Sequence, residues 1–384
     1  MHQPPRRLRL PQLLLIVGTA TLTVAVIASP HNARIAASQT WSPFVLVAGL
    51  LMIGIVAHRD GLFDALGART ARVGAHPAVL LVALLGAEAV VTVVLNLDTA
   101  VAFMTPVLVL AAQAQGIDDE AFLYGALFMA NAASLVLPGS NLTNLLVLAH
   151  EHVAGTEFAA RMLPASLPPI VVTAAFVAVV HRRRLTHPPG TTHDVTAQAR
   201  WLSTSTAAIV LAALFVLVLR VPALPVLALG VATAAYATAR HLLSRRDVWD
   251  AIEPLSLLGL FGVAVALGTL ARSWNGPAYL TQHATGTQTA VLGALAAIAV
   301  NNLPAAVLLS ARGVTHPRGL LIGLNLGPNL AVTGSLSALI WYRAASTIGA
   351  KPSARRVTKL GVILVPISIA AAALTLRLLS PTRL

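Results

Sequence analysis

The sequence predicts an all-α polytopic membrane protein built as two inverted repeats. Three observations carry that expectation. Hydrophobic residues make up 57% of the 384 positions and charged residues only 10%, too little charge to cover a water-soluble body of this size. Apolar runs long enough to span a bilayer recur along the chain. Two pairs of runs, one pair in each half, are broken by asparagine, proline, glycine and serine where a spanning helix should be continuous. In hydrocarbon an unpaired backbone amide costs several kcal/mol, so broken backbone survives there only against protein or a wet cavity. Paired breaks at corresponding places in two halves point to a transporter's substrate site.

Uninterrupted spans fall near 12–29, 41–57, 162–180, 203–220, 222–239, 252–270 and 360–378, and interrupted apolar regions at 76–113, 120–152 and 288–340. Their order repeats. Two spans, a hairpin at 76–113, a broken span at 120–152 and a span at 162–180 form the first repeat, residues 1–181. Two spans, a hairpin at 288–311, a broken span at 317–340 and a final span form the second, residues 222–384. Residues 182–221 supply a cytoplasmic linker and a connecting helix, which starts the second set on the opposite side. The whole then has about five elements per repeat, two re-entrant hairpins, two broken helices and roughly 10 transmembrane spans. Parity does not separate re-entrance from two full crossings; for 288–311 the segment after Pro304 is too short to cross.

With the amino terminus inside, the loops at 58–75, 113–119, 181–202, 240–251 and 341–359 face the cytoplasm. Eight basic residues lie outside that side, namely Arg34, Arg161, Arg220, Arg272, Arg312, Arg318, Arg377 and Arg383. The other 18 of the 26 lie on it, in the sense of the positive-inside rule. The same rule accounts for the net charge of +13 better than nucleic-acid binding does, because the basic residues sit in short loops with few aromatics among them. The start of the chain (Arg6, Arg7 and Arg9 before an apolar run) fits a secretory signal or a retained first helix; a counterpart in the second half favours retention. Gly61–Arg72 reads as an amphipathic helix on the cytoplasmic interface, and 187–200 as a flexible linker.

Asp98 is the sharpest candidate for chemistry. An aspartate at the centre of a spanning segment costs about 2.5–3.5 kcal/mol on insertion scales, so it faces a cavity and serves as a candidate proton carrier. Asp also closes turns, and both roles fit the hairpin tip. Glu88, the other acid deep in an apolar run, is a second candidate for proton or ion coupling. Asn96, Thr99, Ser140, Asn141, Thr143 and Asn144 supply neutral donors and acceptors in the first half. Asn301, Asn302, Asn325, Asn329, Thr333 and Ser335 do so in the second. Such groups suit a small polyhydroxy solute or a partly dehydrated cation, or they satisfy backbone freed by the breaks. Pro106, Pro138, Pro304 and Pro328 shape the kinks. Arg, Lys and His are missing from the four polar breaks themselves, so a multiply charged anion would depend on helix amino termini or co-bound cations.

Other chemistry is excluded. The chain has no cysteine, hence no disulfide, thiolate metal site or cysteine nucleophile. His150-Glu151-His152 has the wrong spacing for a helical metal site. A Walker lysine motif is absent, so ATP hydrolysis by this chain is not expected. No cofactor, metal or enzymatic activity is implied.

At the same residues the chain resembles the ion-transporter superfamily, and within it the arsenite/antimonite efflux pump family. Asn96-Leu97-Asp98-Thr99-Ala100 with Thr105-Pro106 resembles the family's first hairpin. Ala130 to Leu135, with Pro138 and Ser140-Asn141-Leu142-Thr143-Asn144, is similar to its first broken helix. Asn301-Asn302-Leu303-Pro304 matches the second hairpin; Leu326-Gly327-Pro328-Asn329 with Thr333-Gly334-Ser335-Leu336 and Trp341 resembles its most distinctive signature. The resemblance covers about 41–360. Leu97 before Asp98 and Ala331-Val332 before Thr333 depart from it. It implies a secondary carrier in the inner membrane that exports trivalent arsenic or antimony hydroxides. The drive would be the proton motive force, alone or with an accessory ATPase subunit. A citrate or dicarboxylate carrier and a sodium/proton antiporter of the same superfamily remain the alternatives.

Overall fold

A computed structural model describes residues 10–73, 76–149, 151, 153–185 and 204–379, and all regular structure among them is helical. The first set of helices is α1 (Leu10–Ala28), α2 (Pro30–Arg59), α3 (Leu62–Val73), α4 (Pro77–Val94), α5 (Leu97–Ala114), α6 (Glu120–Ala133), α7 (Leu142–Leu148) and α8 (Gly155–Val180). After α9 (Thr204–Val218) come α10 (Ala223–Ala239), α11 (Arg245–Ile252), α12 (Pro254–Ser273), α13 (Gly276–His283) and α14 (Gly286–Val300). The chain continues through α15 (Asn302–Ser310), α16 (Pro317–Leu326), α17 (Leu336–Thr347) and α18 (Ala354–Leu379). Seven helical segments are long and apolar enough to cross a membrane, and α9, α10 and α14 are shorter apolar helices.

Local chemistry sets the starts. Proline stands in the first turn of α2, α4, α12 and α16, where a missing N–H costs nothing and its fixed φ suits the helix. The helices then pack in exchanged pairs. α1 lies along α12 and α2 along α10; α4 packs on α6 and α14 on α16; α5 meets α17 and α15 meets α7; α8 lies on α18. The α1–α12 crossing is close enough to need glycine, because a Cβ on Gly18 would fall on the Gly259 carbonyl oxygen. Small residues of this kind let apolar helices approach without a hydrophobic drive between them.

The interrupted regions are broken where expected. The hairpin α4–α5 turns at Leu95-Asn96, and its arms of 18 residues each rise about 27 Å. α3 packs against both arms, so the open end of this hairpin lies on the face that carries α3. The second hairpin turns at Asn301 into a nine-residue α15, about 14 Å long and too short to cross. A 3₁₀ turn at Pro138–Ser140 separates α6 from α7, and two such turns, Gly327–Leu330 and Val332–Gly334, separate α16 from α17.

Three elements depart from the sequence expectation. α2 begins at Pro30 rather than near 41, since Ala33 and Ala36 are small enough to pack on Val265 of α12 and carry the helix through a polar stretch. α11 and α13 occupy stretches expected as loops. α11 is nucleated by a capping box between Ser244 and Asp247, a local signal that outweighs its low apolarity. The amino-terminal arginines, the 187–200 linker, His150 and His152 lie outside the described residues; among those described, no cluster of His, Cys, Asp or Glu could hold a metal.

Candidate functional site

Each of the four breaks ends in a helix whose first turn is closed by a side chain. Asn96 Oδ1 accepts from the Thr99 amide at 2.7 Å and Asn141 Oδ1 from the Thr143 amide at 3.1 Å. Asn301 Oδ1 accepts from the Leu303 amide at 3.3 Å, and Ser335 Oγ from the Ala338 amide at 3.2 Å. Four of the predicted site residues are therefore N-caps, which satisfy the orphan amides that a helix start inside apolar surroundings leaves unpaired.

The four capped amino termini meet at one cavity of about 240 Å³. Asp98 and Thr99 of α5, Thr143 of α7, Asn302 of α15 and Ser337 of α17 line it, with Asn141 at the α7 cap. Asp98, Thr143 and Ser337 each stand two residues after their cap, so one register aims all three inward. Asp98 Oδ1 accepts a hydrogen bond from Ser337 Oγ at 2.6 Å, joining the first hairpin to the second broken helix. The oxygens Thr99 Oγ1 and Thr143 Oγ1 are buried and have no partner. The positive ends of four peptide dipoles thus surround a carboxyl group.

The cavity reaches one face of the molecule, where Asp250, Glu253 and Arg343 stand at its rim. Arg343 lies 3.9 Å from Glu253, a loose and half-exposed pair. Three carboxyl groups and one guanidinium line the whole space. A second cavity of about 280 Å³ lies between Leu148 and Leu321, with Glu151, Arg161 and Arg318 around it, and shares no lining residue with the first. Burial pushes the Glu151 carboxyl up from its ordinary range, and Arg161 and Arg318 oppose that shift.

Behind the lining lies a dry hydrogen-bonded layer. Asn325 is fully buried and binds Ser134, Asn141 and Asn144. Asn144 Nδ2 donates to the carbonyls of Ser134 and Leu137 at 2.7 and 3.1 Å, and Ser140 Oγ donates to the Val93 carbonyl at 3.1 Å. Asn131 Nδ2 donates to Asn329 Oδ1 at 2.8 Å, and Asn329 Nδ2 to the Phe128 carbonyl at 3.2 Å. Trp341 is buried with its Nε1 on the Leu123 carbonyl at 2.8 Å.

Of the predicted substrate-binding residues, Thr99, Asn141, Thr143 and Asn302 line the cavity; Asn96, Ser140, Asn144, Asn301, Asn329, Thr333 and Ser335 do not. Asn96, Asn301 and Ser335 are caps, Ser140 and Asn144 satisfy carbonyls freed by the breaks, and Asn329 bridges Asn131 and the Phe128 carbonyl within α6. Thr333 is exposed, and its carbonyl accepts from Asn301 Nδ2 at 3.0 Å. Glu88 is buried on α4 with neither carboxyl oxygen hydrogen-bonded, and it is not among the cavity's lining residues. Ser337 was missed, although its place two residues after a cap repeats the Asp98 and Thr143 pattern. Thr143→Val keeps shape while removing the free hydroxyl, so we expect KM for the transported solute to rise about fivefold, the worth of one ordinary hydrogen bond. An unaltered KM in vesicles would remove Thr143 from the site.

The chain is similar to known transport proteins. Two arsenical pump membrane proteins are similar, one from Yersinia enterocolitica at 27% identity over 355 residues and one from Escherichia coli at 26% over 349. Each match takes in 80% of this chain and 79% of the relative. The crystal structure of the Alcanivorax borkumensis YdaH transporter has the same fold, with a TM-score of 0.59 at 13% identity, over 96% of this chain and 98% of that one. The citrate transporter family, CitMHS, matches residues 6–349. The chain belongs to that family, within the ion-transporter superfamily, and is a multi-pass membrane transporter rather than an enzyme.

Proposed function

We propose that the protein exports arsenite and antimonite across the inner membrane in exchange for protons, as their uncharged trihydroxides. The cavity is the observation that carries this reading. Helix amino termini and the hydroxyls of Thr99 and Thr143 offer neutral partners to a small triol, and the chain has no cysteine to hold trivalent arsenic in slow-exchanging thiolate bonds. A trianion would lie against Asp98 and pass Asp250 and Glu253 with Arg343 alone to offset them. The arsenical pump relatives support the same substrate.

Asp98 carries the coupling proton in this scheme. It is the carboxyl group deep in the cavity, among the four helix starts, so water can deliver protons to it. Protonation removes the charge that Ser337 and the dipoles stabilise and so biases the balance between inward-facing and outward-facing states. Glu88 lies away from the cavity, and Glu88→Gln is expected to transport at the normal rate; uncoupled transport in that variant would move the assignment. The exchanged helix pairs support two inverted repeats, residues 1–181 and 222–384, because α1–α12 with α2–α10, and α5–α17 with α15–α7, are images under one swap of sets. The basic loops favour a cytoplasmic amino terminus, and the cavity then opens inward. An accessory ATPase subunit would act from that side.

The second reading is a citrate or dicarboxylate carrier, favoured by the family match and by the four amino termini, which attract anions. Everted vesicles separate the readings. Arsenite accumulation that collapses with the proton gradient is expected. Citrate accumulation without arsenite uptake would replace the proposal, and sodium-driven proton release would turn it into a sodium/proton antiporter.

A further inference from the structure

The carboxamide of Asn325 uses its whole hydrogen-bonding capacity, and does so chiefly on side chains of the other set of helices. Its Oδ1 accepts from Ser134 Oγ at 2.6 Å and from Asn141 Nδ2 at 2.8 Å. Its Nδ2 donates to Asn144 Oδ1 and to the Leu321 carbonyl, both at 2.8 Å. A flip of the amide would set its N–H groups against the donor Asn141 Nδ2 and its oxygen against the Leu321 carbonyl, so the orientation is fixed. The single backbone partner is the carbonyl one turn back in its own helix.

This pattern differs from that of its neighbours. Asn144 and Ser140 bind carbonyls that the breaks set free, and their work is satisfaction of backbone. Asn325 satisfies no freed carbonyl of the first set. It grips Asn141, whose Oδ1 is meanwhile closed on the Thr143 amide. Asn141 and Thr143 both stand at the cavity wall, and the Thr143 hydroxyl is buried beside it without a partner. The links run in one line from Asn325 through Asn141 to the α7 amino terminus.

We infer that Asn325 is a positioning residue for the substrate site, acting through Asn141 to hold the amino terminus of α7, and with it Thr143, at the cavity wall. The inference rests on that cavity being the transport site, as proposed above. Asn325 itself lies outside the cavity lining and meets the solute only through this chain of bonds. Its loss leaves the α7 start free to tilt, so the hydroxyl and amide dipoles no longer converge where a small solute sits.

The test has two arms. In vesicles, Asn325→Ala should raise KM for arsenite about five- to tenfold, with the maximal rate per inserted molecule unchanged. Asn141→Ala, which also removes the α7 cap, should raise KM at least as far, and adding Asn325→Ala to it should raise KM no further, because the link is already cut. The second arm uses the natural lack of cysteine. Thr143→Cys and Ser337→Cys are each labelled by a water-soluble methanethiosulfonate in purified, monodisperse protein. Adding Asn325→Ala should speed labelling at 143 several-fold and leave 337 as it was.

Equal acceleration at both positions would mean general loosening and overturn the inference, as would an unchanged KM or additive effects in the double variant. Should Asn325→Ala fail to insert, Asn141→Ala cuts the same link from the cavity side and is read by the same labelling. A wild-type protein that carries no arsenite defeats the proposed function instead, and the labelling arm still decides the role of Asn325.

Discussion

Asp98→Asn is expected to abolish the proposed proton-driven transport while the protein still inserts and folds. Asparagine keeps the size of the side chain, and its amide oxygen can still accept from Ser337, which lies 2.6 Å from Asp98 Oδ1. The link between α5 and α17 therefore survives, and only the capacity to take and release a proton is removed. Downhill movement of solute could persist; accumulation against a gradient should fall to that of empty vesicles. Ser337→Ala is the complementary case, since it removes the donor and keeps the acid. It should leave transport coupled but alter its dependence on pH. Accumulation by Asp98→Asn at the wild-type level would falsify the proton role and return attention to Glu88.

Gly323→Val should remove most of the folded protein. Gly323 lies where α16 crosses α14, and a Cβ there would fall on the Ala290 carbonyl oxygen and press on the Ala294 amide. Both neighbours are main chain and cannot swing aside. Overpacking of a core costs about 1–3 kcal/mol even where side chains can adjust, and here two helices must part. Asn325 follows two residues later, so any separation also pulls at the bonds behind the cavity. Gly86→Val is the control: Gly86 sits on α4 with open space where its Cβ would be. The yield of monodisperse protein in detergent and its melting temperature measure the difference. Equal behaviour of the two variants would mean that α14 and α16 do not touch as described.

Much of this architecture was legible because hydrocarbon leaves few options for backbone. Asn96, Asn141, Asn301 and Ser335 stood out as polar residues in apolar runs, and each proved to close a helix start. The positions of the breaks followed from the sequence; which side chains face the cavity did not. That depends on register after each cap, so Ser337 lines the space while Thr333, in the stretch between α16 and α17, is exposed. Asn325 read as one more neutral donor, because its partners Ser134, Asn141 and Asn144 lie more than 180 residues away in sequence. α11 and α13 escaped notice for another reason. They are eight residues long, and helices that short look like loops when apolarity alone is weighed.

The one-sided opening of the cavity also shapes the electric field across the protein. Water that fills it from the Glu253 and Arg343 rim stands at the voltage of that compartment as far in as Asp98. The voltage drop is then concentrated in the layer beyond, where Asn325 and Asn144 lie. Moving one elementary charge through the full drop is worth about 2.3 kcal/mol per 100 mV. A charge that crosses this layer feels nearly all of it, so any net charge carried through it would make transport steeply electrogenic.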